Sequence, residues 1–159
     1  MKKPAVLFVC LGNICRSPLA EAAFREEAAR LGLEVEVDSA GIGGWHAGEP
    51  PDRRAIAVAR RHGVDISHYR ARKVLEEDFR RFTHILALDH ENLAALKALR
   101  PQDGGAELRL LLDYVPGREG EAVDDPWYGP ASGFEITWSD VSEAAKGLAQ
   151  SLKKAAKQP

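Results

Sequence analysis

Cysteine is scarce in this chain: only Cys10 and Cys15 occur in 159 residues. Two thiols so close in sequence cannot build a disulfide framework. The five histidines are scattered, and no Cys/His cluster has metal-ligand spacing, so neither a metal nor another cofactor is expected. Long apolar runs are absent too. Ala5–Leu11 falls well short of the roughly 20 residues that span a bilayer, and no signal-peptide cleavage pattern follows it. A cytoplasmic protein with no membrane contact is the expectation. Charge of one sign is also lacking, with 22 basic against 24 acidic residues and a net charge of -2, which argues against a nucleic-acid partner. What remains, 45% apolar and 29% charged, suits one soluble domain over residues 1–159, expected as a monomer.

Strand and helix patterns alternate along the chain. Ala5–Cys10 (AVLFVC) is a short apolar run of the kind buried on both faces of a parallel sheet. Ser17-Pro18 reads as a helix N-cap followed by a first-turn proline, and Gly32 as the stop. The alternation of Leu33–Val37 predicts a second strand, Thr83–Leu88 a third and Leu108–Leu112 a fourth. Helices are predicted from Pro51 to about His62, over Val74–Arg81 and over Glu91–Leu99. Ser132-Gly133-Phe134-Glu135 reads as a capping box opening a last helix with Ile136, Val141, Ala144, Leu148 and Leu152 on its apolar face. Together these predict an α/β three-layer sandwich, with about four parallel strands and helices on both faces. Ligands of such sheets bind at the carboxyl ends of the strands. The first strand ends at Cys10.

The segment that follows, Cys10-Leu11-Gly12-Asn13-Ile14-Cys15-Arg16-Ser17, has the length to curl into a ring between a strand and a helix N-terminus. In such a ring the N–H groups face inward, where the helix adds positive potential, and an anion can be held. Gly12 and Asn13 tolerate the positive φ a tight curl needs. Arg16 offers a planar fork for two phosphate oxygens. A thiol beside a helix N-terminus and a guanidinium is favoured as the thiolate, a strong nucleophile. Ser17 is placed to donate to that sulfur. An isolated Cys-x5-Arg pair would more simply be a core residue and a surface cation, but strand, glycine, arginine and helix agree here. The segment lacks the Gly-Lys-Ser/Thr of a nucleotide loop, and its cysteines are too far apart for a thioredoxin motif.

VLFVCLGNICRSPLAEAAF at 6–24, DSAG at 38–41, the stretch His62–Asn92 and DDPWYG at 124–129 resemble the low-molecular-weight protein tyrosine phosphatases. The resemblance covers nearly the whole chain. It implies that Cys10 is the nucleophile, that Arg16 binds phosphate and that Ser17 supports the leaving thiolate. It also implies that Asn13, Ser39 and His68 brace the loop by hydrogen bonds. The substrate would be a phosphotyrosine-containing protein or a small aryl phosphate, with free phosphate and vanadate as inhibitors.

Cleaving an aryl phosphate requires a proton for the departing oxygen, and the loop holds no acid. Asp124 and Asp125 are the nearest candidates in kind. Pro126 constrains the backbone of Asp125 and so fixes where its side chain points, and the resemblance also makes Asp125 the general acid. Trp127 and Tyr128 would form one wall of a slot for a phenyl ring and Trp45 the other; alternatively they pack together under the loops. Cys15 is either a redox partner for Cys10 or a small buried apolar residue. Three rivals share features of the loop. An arsenate reductase would need further cysteines beyond Cys15. A protein arginine phosphatase carries Thr at the position of Ile14. A phosphocysteine carrier would need no acid.

Overall fold

A computed structural model describes residues 3–157. One four-stranded sheet of order β2-β1-β3-β4 forms the middle layer, with β1 at Ala5–Cys10, β2 at Glu36–Gly41, β3 at His84–Ala87 and β4 at Glu107–Leu110. Every pairing is parallel, and β1 lies between β2 and β3. All six residues of β1 are buried, because both faces of the strand are covered. Val6 and Phe8 face the larger core, under α1 (Arg16–Leu31) and α5 (Gly133–Ala156). Leu7 and Val9 face the smaller core on the other side, which includes Phe79 from α3 (Asp78–Arg81) and Leu96 from α4 (His90–Leu99). The helix α2 (Arg53–Arg61) lies on the side of the larger core. This is the expected three-layer sandwich.

Several element boundaries differ from expectation for identifiable reasons. β2 begins and ends later than Leu33–Val37. Leu33 and Val35 are only half-buried, whereas Val37 to Gly41 pair with Val6 to Cys10. Polar Asp38 and Ser39 are tolerated in that strand because Arg72 binds Asp38, and Ser39 donates to Glu21. β4 stops at Leu110, and Leu111–Tyr114 form a 3-10 turn that puts Leu111 and Leu112 into the larger core. Gly147 of α5 permits that turn's approach, since a Cβ there would lie 2.1 Å from the Tyr114 carbonyl oxygen. The stretch before α3 is extended instead of helical, with the Gly41 N–H donating to the Arg72 carbonyl and the Val74 N–H to the Gly41 carbonyl.

Neither predicted serine cap is used. α1 starts at Arg16 with Cys15 as N-cap, and Ser17 turns its hydroxyl to other partners. Ser132 makes no side-chain cap, and Glu135 binds Arg61 and His62 of the α2 end instead. Ile136 is exposed. The other predicted positions, Val141, Ala144, Leu148 and Leu152, are buried as expected, and Phe134, Trp138 and Ala145 join them on the apolar stripe of α5.

Candidate active site

The loop after β1 is held open from outside. The carbonyls of Cys10, Leu11 and Ile14 accept from the N–H groups of Ile42, Gly43 and Asp52 at 2.9, 3.0 and 2.8 Å. With its carbonyls engaged outward, the loop is left with unused donors. Among the described residues, no backbone N–H from Gly12 to Cys15 donates to a protein acceptor. An anion inside the ring would satisfy them, together with the N-terminus of α1. Asn13 provides the turn with φ 61°, an uncommon conformation that Asn adopts more readily than most residues.

A chain of hydrogen bonds links that turn to Cys10. Asn13 Oδ1 accepts from the Arg72 N–H at 3.0 Å, which orients the amide so that Nδ2 donates to Ser17 Oγ at 2.8 Å and to Ser39 Oγ at 3.0 Å. Ser17 Oγ lies 3.0 Å from Cys10 Sγ. Since Ser17 already accepts from Asn13, its own hydrogen is available to the sulfur; the alternative acceptor, the Ala40 carbonyl, is more distant at 3.5 Å. Ser39 passes its hydrogen to Glu21 Oε1 at 2.7 Å, and Glu21 Oε2 accepts from Arg25 at 2.9 Å. Burial raises Glu21 above the ordinary carboxyl range, opposed by the Ser39 hydrogen bond and by Arg25. The side chains of Asn13 and Ser17 therefore work behind the loop, while Leu11, Gly12, Ile14 and Cys15 line the pocket in front of it.

Arg16 is buried, and both hydrogens of Nη1 have acceptors: Asp89 Oδ2 at 2.7 Å and the Val123 carbonyl at 2.9 Å. The Nε and Nη2 edge keeps its hydrogens for a ligand, with Asp125 Oδ2 at 3.7 Å from Nη2. Burial opposes the charge on Arg16, but Cys10, Asp89 and Asp125 outweigh it and raise Arg16 above the usual guanidinium value. Cys15 differs in kind. Burial pushes its thiol far up, with Asp52 and Cys10 adding to the effect, so it stays protonated.

Cys10, Arg16 and Asp125 meet at one pocket of about 200 Å³, whose other lining includes Trp45, His46, Trp127 and Tyr128. Asp124 is exposed and does not line it. Asp125 Oδ1 accepts from the Trp127 N–H at 3.1 Å, which turns the loop so that both residues reach the pocket. Trp45 lies against Gly43, where any Cβ would strike the indole at 1.9 Å. His46, overlooked in the sequence, covers Gly12 and faces Trp127 with ring centroids 6.2 Å apart. The three aromatic residues of the expected walls are thus all at the rim, with Tyr128 94% exposed. A larger crevice of about 550 Å³, between the Lys3–Pro4 segment and the end of α5, contains none of these groups.

His68 is not where the resemblance implied. It is exposed and packs edge-on to Tyr69 at 4.9 Å, with no hydrogen bond to the loop among the described residues. The backbone N–H of Arg72 takes up that side of the loop. Arg72 is itself fixed by Asp38 and Asp78 through its guanidinium. Glu21, Asp89, Arg72 and Arg54 are the supporting residues that sequence reasoning missed. Asp89 alone had a local signal, since an aspartate ahead of a helix is a recognisable N-cap, and it does cap α4 through the Asn92 N–H at 2.7 Å. Among the described residues, no group of three or more His, Cys, Asp or Glu side chains is placed to hold a metal ion. Among the described residues, no helix is long and apolar enough to cross a membrane.

Comparison with known proteins agrees with this geometry. A family model described as "Low molecular weight phosphotyrosine protein phosphatase" matches residues 5–158. A Schizosaccharomyces pombe protein of that description is 40% identical over 154 residues, covering 95% of this chain and 98% of the relative. The crystal structure of YfkJ from Bacillus subtilis superposes with a TM-score of 0.90 at 41% identity, covering 99% of both chains. A Drosophila arginine phosphatase structure shares the fold with a TM-score of 0.86 at 31% identity, covering 93% of this chain and 97% of that one.

Proposed function

Because the chain belongs to the low molecular weight phosphotyrosine protein phosphatase family, we propose that it hydrolyses phosphotyrosine on proteins through a phosphocysteine at Cys10. The observation that carries this reading is the convergence of a thiol, a half-committed guanidinium and a carboxylate on one small pocket with an aromatic rim.

The phosphate occupies the ring, its oxygens taking the loop N–H groups and the free edge of Arg16. The Cys10 thiolate attacks phosphorus in line with the ester oxygen. As the P–O bond breaks, Asp125 gives its proton to the phenol oxygen. Asp125, now a carboxylate, then takes a proton from water. The water oxygen attacks phosphorus, and the P–S bond breaks with its electron pair returning to sulfur, where the Ser17 hydroxyl stabilises the thiolate. Inorganic phosphate leaves. Donors fixed before the reaction need no reorganisation as charge shifts, the largest advantage such a site offers. No step calls on a metal or cofactor.

Ile14 favours phosphotyrosine over phosphoarginine: it lines the pocket with a hydrocarbon surface where an arginine phosphatase carries a hydroxyl. Residues 1–159 act as one phosphatase domain, monomeric and cytoplasmic, inhibited by free phosphate and vanadate. The test is to measure turnover of a phosphotyrosine peptide and a phosphoarginine peptide of the same sequence, with and without excess chelator. Preferential turnover of phosphotyrosine, unaffected by chelation and blocked by vanadate, is expected. Preference for phosphoarginine, or a loss on chelation that added metal restores, would refute the reading.

A further inference from the structure

The loop that carries Asp125 is weakly tied to the rest of the protein. Val123 is fixed at one end, through the Leu88 carbonyl and Arg16, and Phe134 is buried at the other. Between them, the hydrogen bonds of residues 124–132 among the described residues are local ones, with a single exception. Arg54 Nη1 donates to the Trp127 carbonyl at 3.2 Å. The same guanidinium lies 5.5 Å from the centroid of the Trp127 ring and 4.6 Å from that of Phe134. Both contacts suit a planar cation on an aromatic face.

Arg54 is in turn clasped by Asp52, through Nε at 3.0 Å and Nη2 at 3.2 Å, while Asp52 Oδ1 caps α2 through the Arg54 N–H at 2.8 Å. The N–H of Asp52 holds the Ile14 carbonyl of the phosphate loop at 2.8 Å. One short unit, Asp52–Arg54, therefore grips the phosphate loop with its backbone and the acid loop with a side chain. The distance between nucleophile and acid is set across it.

We propose that Arg54 is a positioning residue for the acid: it touches neither phosphate nor leaving group, and it holds Pro126–Trp127 so that Asp125 stays over the pocket. The proposal rests on the reading of Asp125 as the proton donor. It assigns Arg54 a part in both steps that use Asp125, of which only the first depends on the leaving group, and none in phosphate binding.

The test uses the full chain with Arg54→Ala and Arg54→Lys, each alone and with Asp125→Ala. Values of kcat/KM, which report the step that expels the leaving group, are measured on phenyl phosphate and nitrophenyl phosphate, with Ki for inorganic phosphate. For Arg54→Ala the expectation is a loss of roughly 10–100-fold in kcat/KM on phenyl phosphate, from misplacement of the acid. On nitrophenyl phosphate the loss should be no more than about threefold, with Ki for phosphate within about twofold, because a good leaving group needs little protonation. Arg54→Lys should recover part of the loss, since lysine can reach the carbonyl but not clasp Asp52 and stack on the rings together. In the Asp125→Ala background Arg54→Ala should cost nothing further, as expected of residues acting as a unit. Equal losses on both esters, a weakened phosphate Ki, or losses that add to those of Asp125→Ala would overturn the proposal. If Asp125→Ala alone shows no leaving-group-dependent defect, the reading of the acid fails. Amide hydrogen exchange then decides on the strut by itself: faster exchange at 124–129 in Arg54→Ala upholds it, and unchanged exchange overturns it.

Discussion

Asp89 holds Arg16 with one carboxylate oxygen and caps α4 with the other: Oδ2 accepts from Arg16 Nη1 and Oδ1 from the Asn92 N–H, each at 2.7 Å. A single side chain thus ties the guanidinium of Arg16 to a helix that follows β3. The two jobs can be separated. Asn caps helices as well as Asp does, but it offers a neutral amide to Arg16. Asp89→Asn should stay folded, with a stability loss of about 1–3 kcal/mol for the weakened charged hydrogen bond. It should bind inorganic phosphate less tightly and turn over roughly tenfold more slowly, through misalignment of Arg16. Asp89→Ala should lose about 1 kcal/mol more through the missing cap. Urea unfolding and phosphate inhibition of the two variants check this.

The assignment of Asp125 over Asp124 predicts a leaving-group signature. Asp125→Ala should lose about 10²–10⁴-fold in kcat/KM, which reports the leaving-group step, on a phosphotyrosine peptide and much less on a nitrophenyl ester. Asp124, which does not line the pocket, should tolerate alanine on both substrates. The measurement is kcat/KM for both esters with both variants. A large, leaving-group-dependent defect in Asp124→Ala with a normal Asp125→Ala would reverse the assignment.

The two cysteines should differ sharply in reactivity. Burial holds Cys15 protonated far above neutral pH, and a protonated buried thiol is a poor nucleophile. Limiting iodoacetamide at neutral pH should therefore alkylate Cys10 and spare Cys15, as read by peptide mass spectrometry. Phosphate should protect Cys10. Preferential labelling of Cys15 would contradict the site as described.

Glu21 makes stability depend on pH. Its ordinary value is 4.5, and burial raises it in the fold despite Ser39 and Arg25. A carboxyl raised on folding keeps its proton longer in the native state. Its contribution is therefore most favourable below the ordinary value and declines as pH rises through the folded one. Glu21→Gln, which can still accept from Ser39, removes that decline. The stability of wild type relative to the glutamine variant should fall as pH rises above the ordinary value of 4.5, measured by urea unfolding at a series of pH values. A difference that instead grows with pH would show that the ion pair with Arg25 dominates.

The parts of the molecule legible in the sequence are those specified locally. β1 announces itself because both its faces are buried, and the phosphate loop because its residue types sit between that strand and a helix. β2 was misplaced because its polar Asp38 and Ser39 look unlike a buried strand until Arg72 and Glu21 arrive from elsewhere in the chain. The serine caps failed for a related reason: Ser17 is drawn to Cys10 and Asn13, and Glu135 to α2, by contacts that no local pattern contains. The supporting residues of the site are distant in sequence in the same way, with Arg16 and Asp89 73 positions apart and Arg54 and Trp127 likewise 73. His68 was misassigned because a side chain was expected where a backbone N–H, that of Arg72, makes the bond.

The most direct test of the account is turnover of a phosphotyrosine peptide by Cys10→Ser, with circular dichroism and urea unfolding to verify the fold. Replacing sulfur by oxygen preserves the loop but exchanges the thiol for a far weaker nucleophile. The account predicts a folded protein with turnover reduced by at least roughly 10⁴-fold. A folded Cys10→Ser protein that keeps most of its turnover would contradict it.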